Sequence, residues 1–262
     1  MAENQKVLFH STIFGPIHSR RLGTSLGINL SPDDGKICSF DCLYCEAGFN
    51  AQGAGKSGMP GIEKVLSDLE TKLREMKESG ENLDVITFSG NGEPTLHPEF
   101  SDIVDGVKAL KDRYFPNAKV SVLTNSTRIF TPKVAEALKK VDNNILKLDS
   151  AVEKTFRLVD RPNDPGLTAE KVIEGLKQFA GTGIIQTMLL RGKHGSEEID
   201  NTTPQEVEAL IEAYKAIRPA GVMLYSIDRA TPEERLQKVE REELLEIAKK
   251  MEDATGIPVS VS

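Results

Sequence analysis

The chain of 262 residues has no tryptophan, three cysteines, four histidines and only 5% aromatic residues. Three thiols cannot all pair, which excludes a disulfide framework of the secreted kind. No apolar run approaches the ~20 residues that cross a bilayer. The opening "MAENQKVLFHS" has neither the basic region nor the apolar core of a signal peptide. These absences lead to the expectation of a cytoplasmic protein without membrane association. Basic residues are outnumbered, 33 to 40, giving a net charge of -7. With no basic run and no aromatic stacking patch, broad non-specific attraction to nucleic acid is disfavoured, although a local basic patch could still serve.

What is present is ordinary globular material, with 39% hydrophobic and 28% charged residues. The length suits one domain over 1–262, since α/β barrels reach that size undivided. Ile62, Val65, Leu66, Leu69, Leu73 and Met76 fall on one helical face that stops at "ESG". "DVITFSG" (84–90) then reads as a buried strand, Phe100 to Leu110 as a helix and "KVSVLTN" (119–125) as a strand. The alternation continues with a helix from 131, strand 143–151, helix 168–180 and strand 184–192. Thr203, Pro204 and Glu206 form an N-cap, N1 and N3 set opening the next helix. Strand 221–227, a charged helix near 239–254 and a short strand "PVSVS" close the chain. With "SLGINLSP" (25–32) in front, the pattern makes six strand-then-helix units, and right-handed crossovers build a parallel sheet from such units. An open doubly wound sheet and a partial barrel both satisfy the periodicity.

Ligands in such folds gather at the carboxyl ends of the strands. The strand ends here are polar and glycine-rich: the loop after 31, "SGNGEPTLH", "TNST", "KLDS", "QTMLLRG" and "YSIDRATP". All three cysteines lie in the first of them, "KICSFDCLYCEAG", as Cys38, Cys42 and Cys45. Thiolates are soft ligands suited to zinc, copper or iron-sulfur clusters. Structural zinc takes four ligands in separated pairs, so His10, His18, His97 or His194 would have to complete it. A cubane cluster on three thiolates leaves one iron open to a small molecule. The glycine-rich stretch 47–61 reads as a mobile loop, a candidate lid, and lacks P-loop spacing.

CxxxCxxC, with Tyr44 before the last cysteine, resembles the signature of the radical S-adenosylmethionine (SAM) enzymes. The resemblance implies a partial (β/α)6 TIM-type barrel in a single domain, with residues 1–24 as an N-terminal extension and 32–61 as the cluster-binding and glycine-rich loop. It implies a 4Fe-4S cluster on Cys38, Cys42 and Cys45, with SAM chelating the open iron and cleaved to a radical that abstracts hydrogen from substrate. An electron donor such as flavodoxin or ferredoxin is implied as partner. "GNGEP" resembles the family's glycine-glutamate motif, so Gly90, Asn91, Gly92 and Glu93 join Tyr44 as expected SAM contacts. Glu93 would accept hydrogen bonds from the methionyl ammonium. By position, Asn125, Ser126, Lys147, Asp149 and Gln186 complete the expected set, while Met188 reads as packing. Tyr225, Ile227 and Asp228 occupy the strand end where the family often meets adenine. Lys147 and Asp149 point to one strand face, and if that face is the barrel interior they need mutual pairing or a ligand.

"GPIHSRRLGTSLGINLSP", "CSFDCLYCE" and "GNGEPTLHPEF" together resemble the wybutosine-type tRNA-modification branch and its uncharacterised bacterial relatives. His18, Arg20, Arg21 and Arg191 are possible substrate contacts, since arginine forks suit phosphate or carboxylate. The wybutosine enzymes carry three further cysteines for an auxiliary cluster, and this chain has none, so the branch does not name the reaction. RNA, a peptide or a small metabolite all remain as substrates. The rival reading is a non-catalytic iron-sulfur or zinc sensor on the same scaffold.

Overall fold

The computed structural model describes residues 7–19 and 23–262. Chain order begins with strands β1 (Ile13–Ser19) and β2 (Gly23–Asn29), the cysteine loop, and helix α1 (Ile62–Ser79). There follow β3 (Val85–Ser89), α2 (Phe100–Tyr114), β4 (Lys119–Thr124), α3 (Pro132–Lys139), β5 (Asn143–Lys147), α4 (Glu153–Val159) and α5 (Ala169–Leu176). The last part comprises β6 (Ile184–Met188), β7 (Leu190–His194), β8 (Glu197–Asp200), α6 (Pro204–Ile217), β9 (Gly221–Tyr225), β10 (Leu236–Lys238), α7 (Arg241–Thr255) and β11 (Val259–Val261).

Eight strands form one sheet in the order β1-β2-β3-β4-β5-β6-β9-β11. From β2 to β11 every pairing is parallel, and β1 joins β2 antiparallel at the edge. This is the parallel α/β architecture of a partial barrel, with its seam between β1 and β11. Side-chain alternation divides each strand between two environments. Leu26, Ile28, Ile86, Phe88, Val120, Val122, Leu146, Ile185, Val222 and Leu224 point outward into the core under the helices, all buried. Their alternates, among them Ser25, Gly27, Thr87, Leu123, Ile145, Gln186 and Met223, face inward around a cavity.

The helix signals act as read. Gly80 ends α1 in the left-handed conformation, its N–H bonded to the carbonyls of Met76 and Lys77. The Thr203 side chain caps α6, but the Glu206 carboxylate does not return to the cap. It is buried and accepts the hydroxyls of Ser150 at 2.6 Å and Thr155 at 2.5 Å, tying α6 to the β5–α4 connection and to α4 itself.

Three elements differ from expectation, the first being α4, a helix between strand β5 and α5 where the sequence reading places none. The N-terminal extension contributes β1, an edge strand. The strand read over 184–192 breaks at Leu189, because Asn201 takes over the ladder. Its carboxamide accepts Leu190 N–H at 2.8 Å and donates to the carbonyls of Met188 at 2.7 Å and Asp149 at 2.9 Å. Beyond that point β7 turns into β8 through Gly195, which has φ 60°, and the pair joins β10 in a three-stranded antiparallel sheet.

Candidate active site

The cysteine loop is held by its non-cysteine residues. Phe40 is buried with its ring edge-on to Phe156 of α4 at 5.7 Å, and Leu43 is buried against Val159, Met188 and Leu190. Backbone bonds Asp41 N–H to Asp160 carbonyl (3.1 Å) and Leu43 N–H to Val159 carbonyl (3.0 Å) lay the loop along the end of α4. At its start, Ile37 bridges Gly92 in parallel. A tight turn, Cys45 N–H to Cys42 carbonyl at 3.2 Å, brings the last two cysteines to one side.

A cavity of about 450 Å³ opens at the carboxyl ends of the strands, within the range of small-molecule sites. Tyr44, Cys45 and Glu46 form one wall, Gly90 and Gly92 another, and the segment after β9, with Tyr225, Ile227, Asp228 and Arg229, a third. A Cβ on Gly92 would stand 1.9 Å from the Ile37 carbonyl oxygen, and one on Gly90 2.5 Å from Asn29 Oδ1. Both glycines have positive φ, so the chain's own packing and backbone conformation require glycine at these two cavity-lining positions.

Beneath this cavity lies a buried polar layer. Glu93 accepts Thr95 N–H (3.0 Å), Thr95 Oγ1 (2.5 Å), Thr124 Oγ1 (2.7 Å) and Asn125 N–H (2.6 Å). Burial pushes its carboxyl up from the ordinary range, and these hydrogen bonds act against that rise. Asn125 donates to Cys38 Sγ at 3.5 Å and to Ser39 Oγ at 2.9 Å. Lys147 and Asp149 are indeed on the barrel face and paired, and Tyr44 bonds to both. Lys147 also reaches Asp160 Oδ1 at 3.1 Å, the same oxygen that accepts the Cys42 thiol at 3.7 Å. Burial alone would lower the Lys147 ammonium, but Asp149 and Asp160 outweigh it and hold it well above its usual range.

A family model of the radical SAM superfamily matches residues 34–203. The chain belongs to the radical SAM superfamily. Among curated relatives it is 30% identical to the UPF0026 protein slr1464 of Synechocystis, over 94% of each chain. It is 30% identical to a UPF0026 protein of Helicobacter pylori J99 over 83% of this chain, and spans only 66% of that relative's length. Of solved structures, a radical SAM methyltransferase from Sphaerobacter thermophilus superposes with TM-score 0.66 at 16% identity, over 91% of this chain and 65% of that one. TYW1 with a lysine-pyruvate adduct superposes with TM-score 0.60 at 15% identity, over 89% of this chain and 75% of that one. At those identities the likeness shows the radical SAM fold.

The donor set suits the cluster of that superfamily. All three cysteines are free and half-buried. Burial pushes the Cys38 thiol up to about 11, with Glu93 adding to the rise. It pushes Cys42 well above the ordinary range, against the pull of Lys147. Metal ligation reverses such shifts, because a coordinating thiol is deprotonated outright. Among the described residues no three His, Cys, Asp or Glu side chains converge on a single-ion site. A cubane needs no such convergence, since its three thiolates bind three different irons. The histidines considered for a zinc site whose side chains are described are engaged elsewhere. His10 bonds to the Asp33 carbonyl, His97 to the Pro60 carbonyl and Glu99 N–H, and His194 to Glu233.

Of the expected contacts, Tyr44, Gly90 and Gly92 line the cavity with Cys45, and Met188 does too. Asn91 does not. Its fully buried carboxamide brackets Phe9, accepting its N–H and donating to its carbonyl, both at 2.8 Å. Ser126 is fully buried and donates to the Lys147 carbonyl. Gln186 sits one rung below Met188, lining a second cavity. Arg191 is occupied by Asp200, Thr202 and Glu243, away from either cavity. The His18 side chain and Arg20 and Arg21 lie outside the described residues. No residue of the glycine-rich loop 47–61 lines either cavity; the cavity wall ends at Glu46, just before it. Asp34 holds the loop's distal part, accepting Lys56 N–H at 2.8 Å and Ser57 Oγ at 2.9 Å. Sequence reading missed Asp160, which nothing local distinguishes from a helix-end acid, and Glu46 and Arg229, whose ion pair at 2.6 Å spans 183 positions at the cavity rim.

Proposed function

We propose that this chain is a radical SAM enzyme in which Cys38, Cys42 and Cys45 hold one 4Fe-4S cluster and the 450 Å³ cavity beside them holds SAM. The observation that carries this reading is the position of Cys45 in the wall of a ligand-sized cavity, opposite the bare backbone of Gly90 and Gly92. When bound, the cluster supplies the electron that splits SAM into methionine and a 5'-deoxyadenosyl radical, which takes a hydrogen atom from the substrate. The chain's own residues bind, orient and exclude water. Gly92 and Gly90 admit the ligand close to the main chain. Glu93 fixes the strand ends of β3 and β4, and the Lys147, Asp149 and Tyr44 group sets the floor beneath Cys42. Tyr225 and Ile227 offer an apolar face for adenine.

A flavodoxin or ferredoxin serves as electron donor in this reading, and the three free thiols suit the reducing cytoplasm. Modification of a nucleotide in RNA is the favoured reaction setting, supported by the sequence motifs shared with the wybutosine branch. SAM turnover separates this reading from a non-catalytic sensor on the same scaffold. The deciding experiment is anaerobic reconstitution with iron and sulfide, addition of dithionite and SAM, and mass spectrometry for 5'-deoxyadenosine. Its formation supports the enzyme. An intact, reduced cluster that leaves SAM uncleaved would overturn it.

A further inference from the structure

The barrel interior is divided into two chambers of opposite character. The upper one, beside Cys45, carries Glu46, Asp228 and Arg229 in its wall. The lower one, about 180 Å³, is lined by Phe14, Ile17, Ser25, Gly27, Thr87, Ser89, Leu123, Ile145, Gln186 and Met223, with no charged residue among them. Ser89 and Leu123 line both, so the chambers meet at that pair.

Two features mark the lower chamber as built for a ligand. Among the described residues, the Gln186 carboxamide and the Ser89 hydroxyl have no hydrogen-bond partner, although both face the cavity. Ser25 and Thr87, by contrast, satisfy each other at 3.0 Å. Both side chains are half-buried, so their polar groups are available to water or to a ligand that enters the cavity. The second feature is the floor. The Phe14 ring lies flat on β2 because residue 27 is glycine, where a Cβ would stand 2.1 Å from the ring. Phe9 stacks on Phe14 with centroids 3.8 Å apart, and Asn91 clamps the Phe9 backbone from the strand-end loop. The arm that supplies Phe14 and Ile17 lies outside the segment matched by the family model, so this floor is set by the chain's own extension.

We propose that the lower chamber receives the uncharged end of the substrate, a neutral ring or short chain with one hydrogen-bonding function directed to Gln186 and Ser89, and that Phe14 sets how long it can be. This rests on the reading of the chain as a radical SAM enzyme. A carboxylate, phosphate or ammonium in this chamber would give up part of its hydration and meet no counter-charge in the wall. An apolar cavity of about 150 Å³ accepts benzene, so a single ring fits the space. A substrate's charged parts stay in the upper chamber, and the carbon next to the held group stands at the Ser89–Leu123 junction, facing the SAM side.

The test uses the reconstituted full chain and four probes, phenol, toluene, benzoate and 4-propylphenol, with binding read by calorimetry. Phenol is expected to bind at least tenfold more tightly than benzoate, and Gln186→Leu to reduce the preference for phenol over toluene about fivefold. Phe14→Ala is expected to tighten binding of 4-propylphenol relative to phenol by at least about fivefold over the native chain; Phe14→Leu is the fallback if the alanine variant does not fold. Equal binding of phenol and benzoate, or unchanged size selection in the Phe14 variants, overturns the proposal. 5'-Deoxyadenosine formation is measured on the same preparation. SAM cleavage without selective phenol binding defeats the chamber assignment alone, whereas selective phenol binding without SAM cleavage defeats the enzyme reading and leaves the neutral-group site standing.

Discussion

The Asp160 carboxylate lies 3.1 Å from the Lys147 ammonium, and the same oxygen accepts the Cys42 thiol at 3.7 Å. A cation on β5 is thereby linked through a helix-end acid to the middle cysteine of the loop. Its second oxygen, Oδ2, is buried without a hydrogen-bond partner among the described residues. With Asp149 on its other side, Lys147 is the positive charge that makes two buried acids tolerable.

Replacing it should therefore be severe. Lys147→Met leaves two carboxylates buried without their cation, a loss of about 3–5 kcal/mol. Urea unfolding of the metal-free protein should register it, and Lys147→Met with Asp160→Asn should recover part of the loss. An unchanged midpoint would show that solvent reaches this group.

Each cysteine is expected to be individually necessary. Cys38→Ser, Cys42→Ser and Cys45→Ser should each lose most bound iron after anaerobic reconstitution while retaining the native circular dichroism spectrum. Undiminished iron in any one of them removes that residue from the ligand set.

Glu93→Gln retains the shape but places an NH2 donor among four donors. With at least one of them left unsatisfied in a buried site, the cost is about 1–3 kcal/mol. SAM affinity, read by equilibrium dialysis, should fall with it, since Asn125 and the β3 and β4 strand ends lose their common anchor. Native SAM affinity in this variant would reduce Glu93 to a stability role.

At Gly92, any side chain meets the Ile37 carbonyl, and φ is 151°. Gly92→Ala should strain the backbone by about 1–3 kcal/mol and break the Ile37 bridge that seats the cysteine loop. Faster hydrogen exchange at Ile37 and Glu93, both bonded across that bridge, is the expected signature.

The second sheet offers a pH test. Hydrogen bonds from Arg235, then His194, lower the Glu233 carboxyl from 4.5 to about 2, burial acting against them. A lowered folded pKa stabilises above the unfolded value and ceases to do so as pH falls from 4.5 through about 2. Glu233→Gln should thus be less stable than the native chain at pH 6 and equal to it near pH 2. Parallel melting curves across that range would contradict the assignment.

Local patterning determined a large part of this protein. The alternation of periods placed the parallel strands and their helices, because side-chain burial repeats within a few residues. The cysteine spacing and Gly90–Glu93 could be placed at one sheet edge for the same reason: each motif is one short loop at a strand end. Lys147 and Asp149 could be assigned to one face from alternation alone. Tertiary structure decided what depends on distant partners. Asn91 became a clamp for Phe9, Asn201 broke the strand at Leu189, and Asp160 joined Lys147 and Cys42 from 118 positions beyond the cysteine. The division of the barrel into a charged and a neutral chamber is likewise invisible locally. It arises because Phe14 packs onto Gly27 and the β9 segment brings Arg229 to Glu46, contacts that exist only once the sheet has curved.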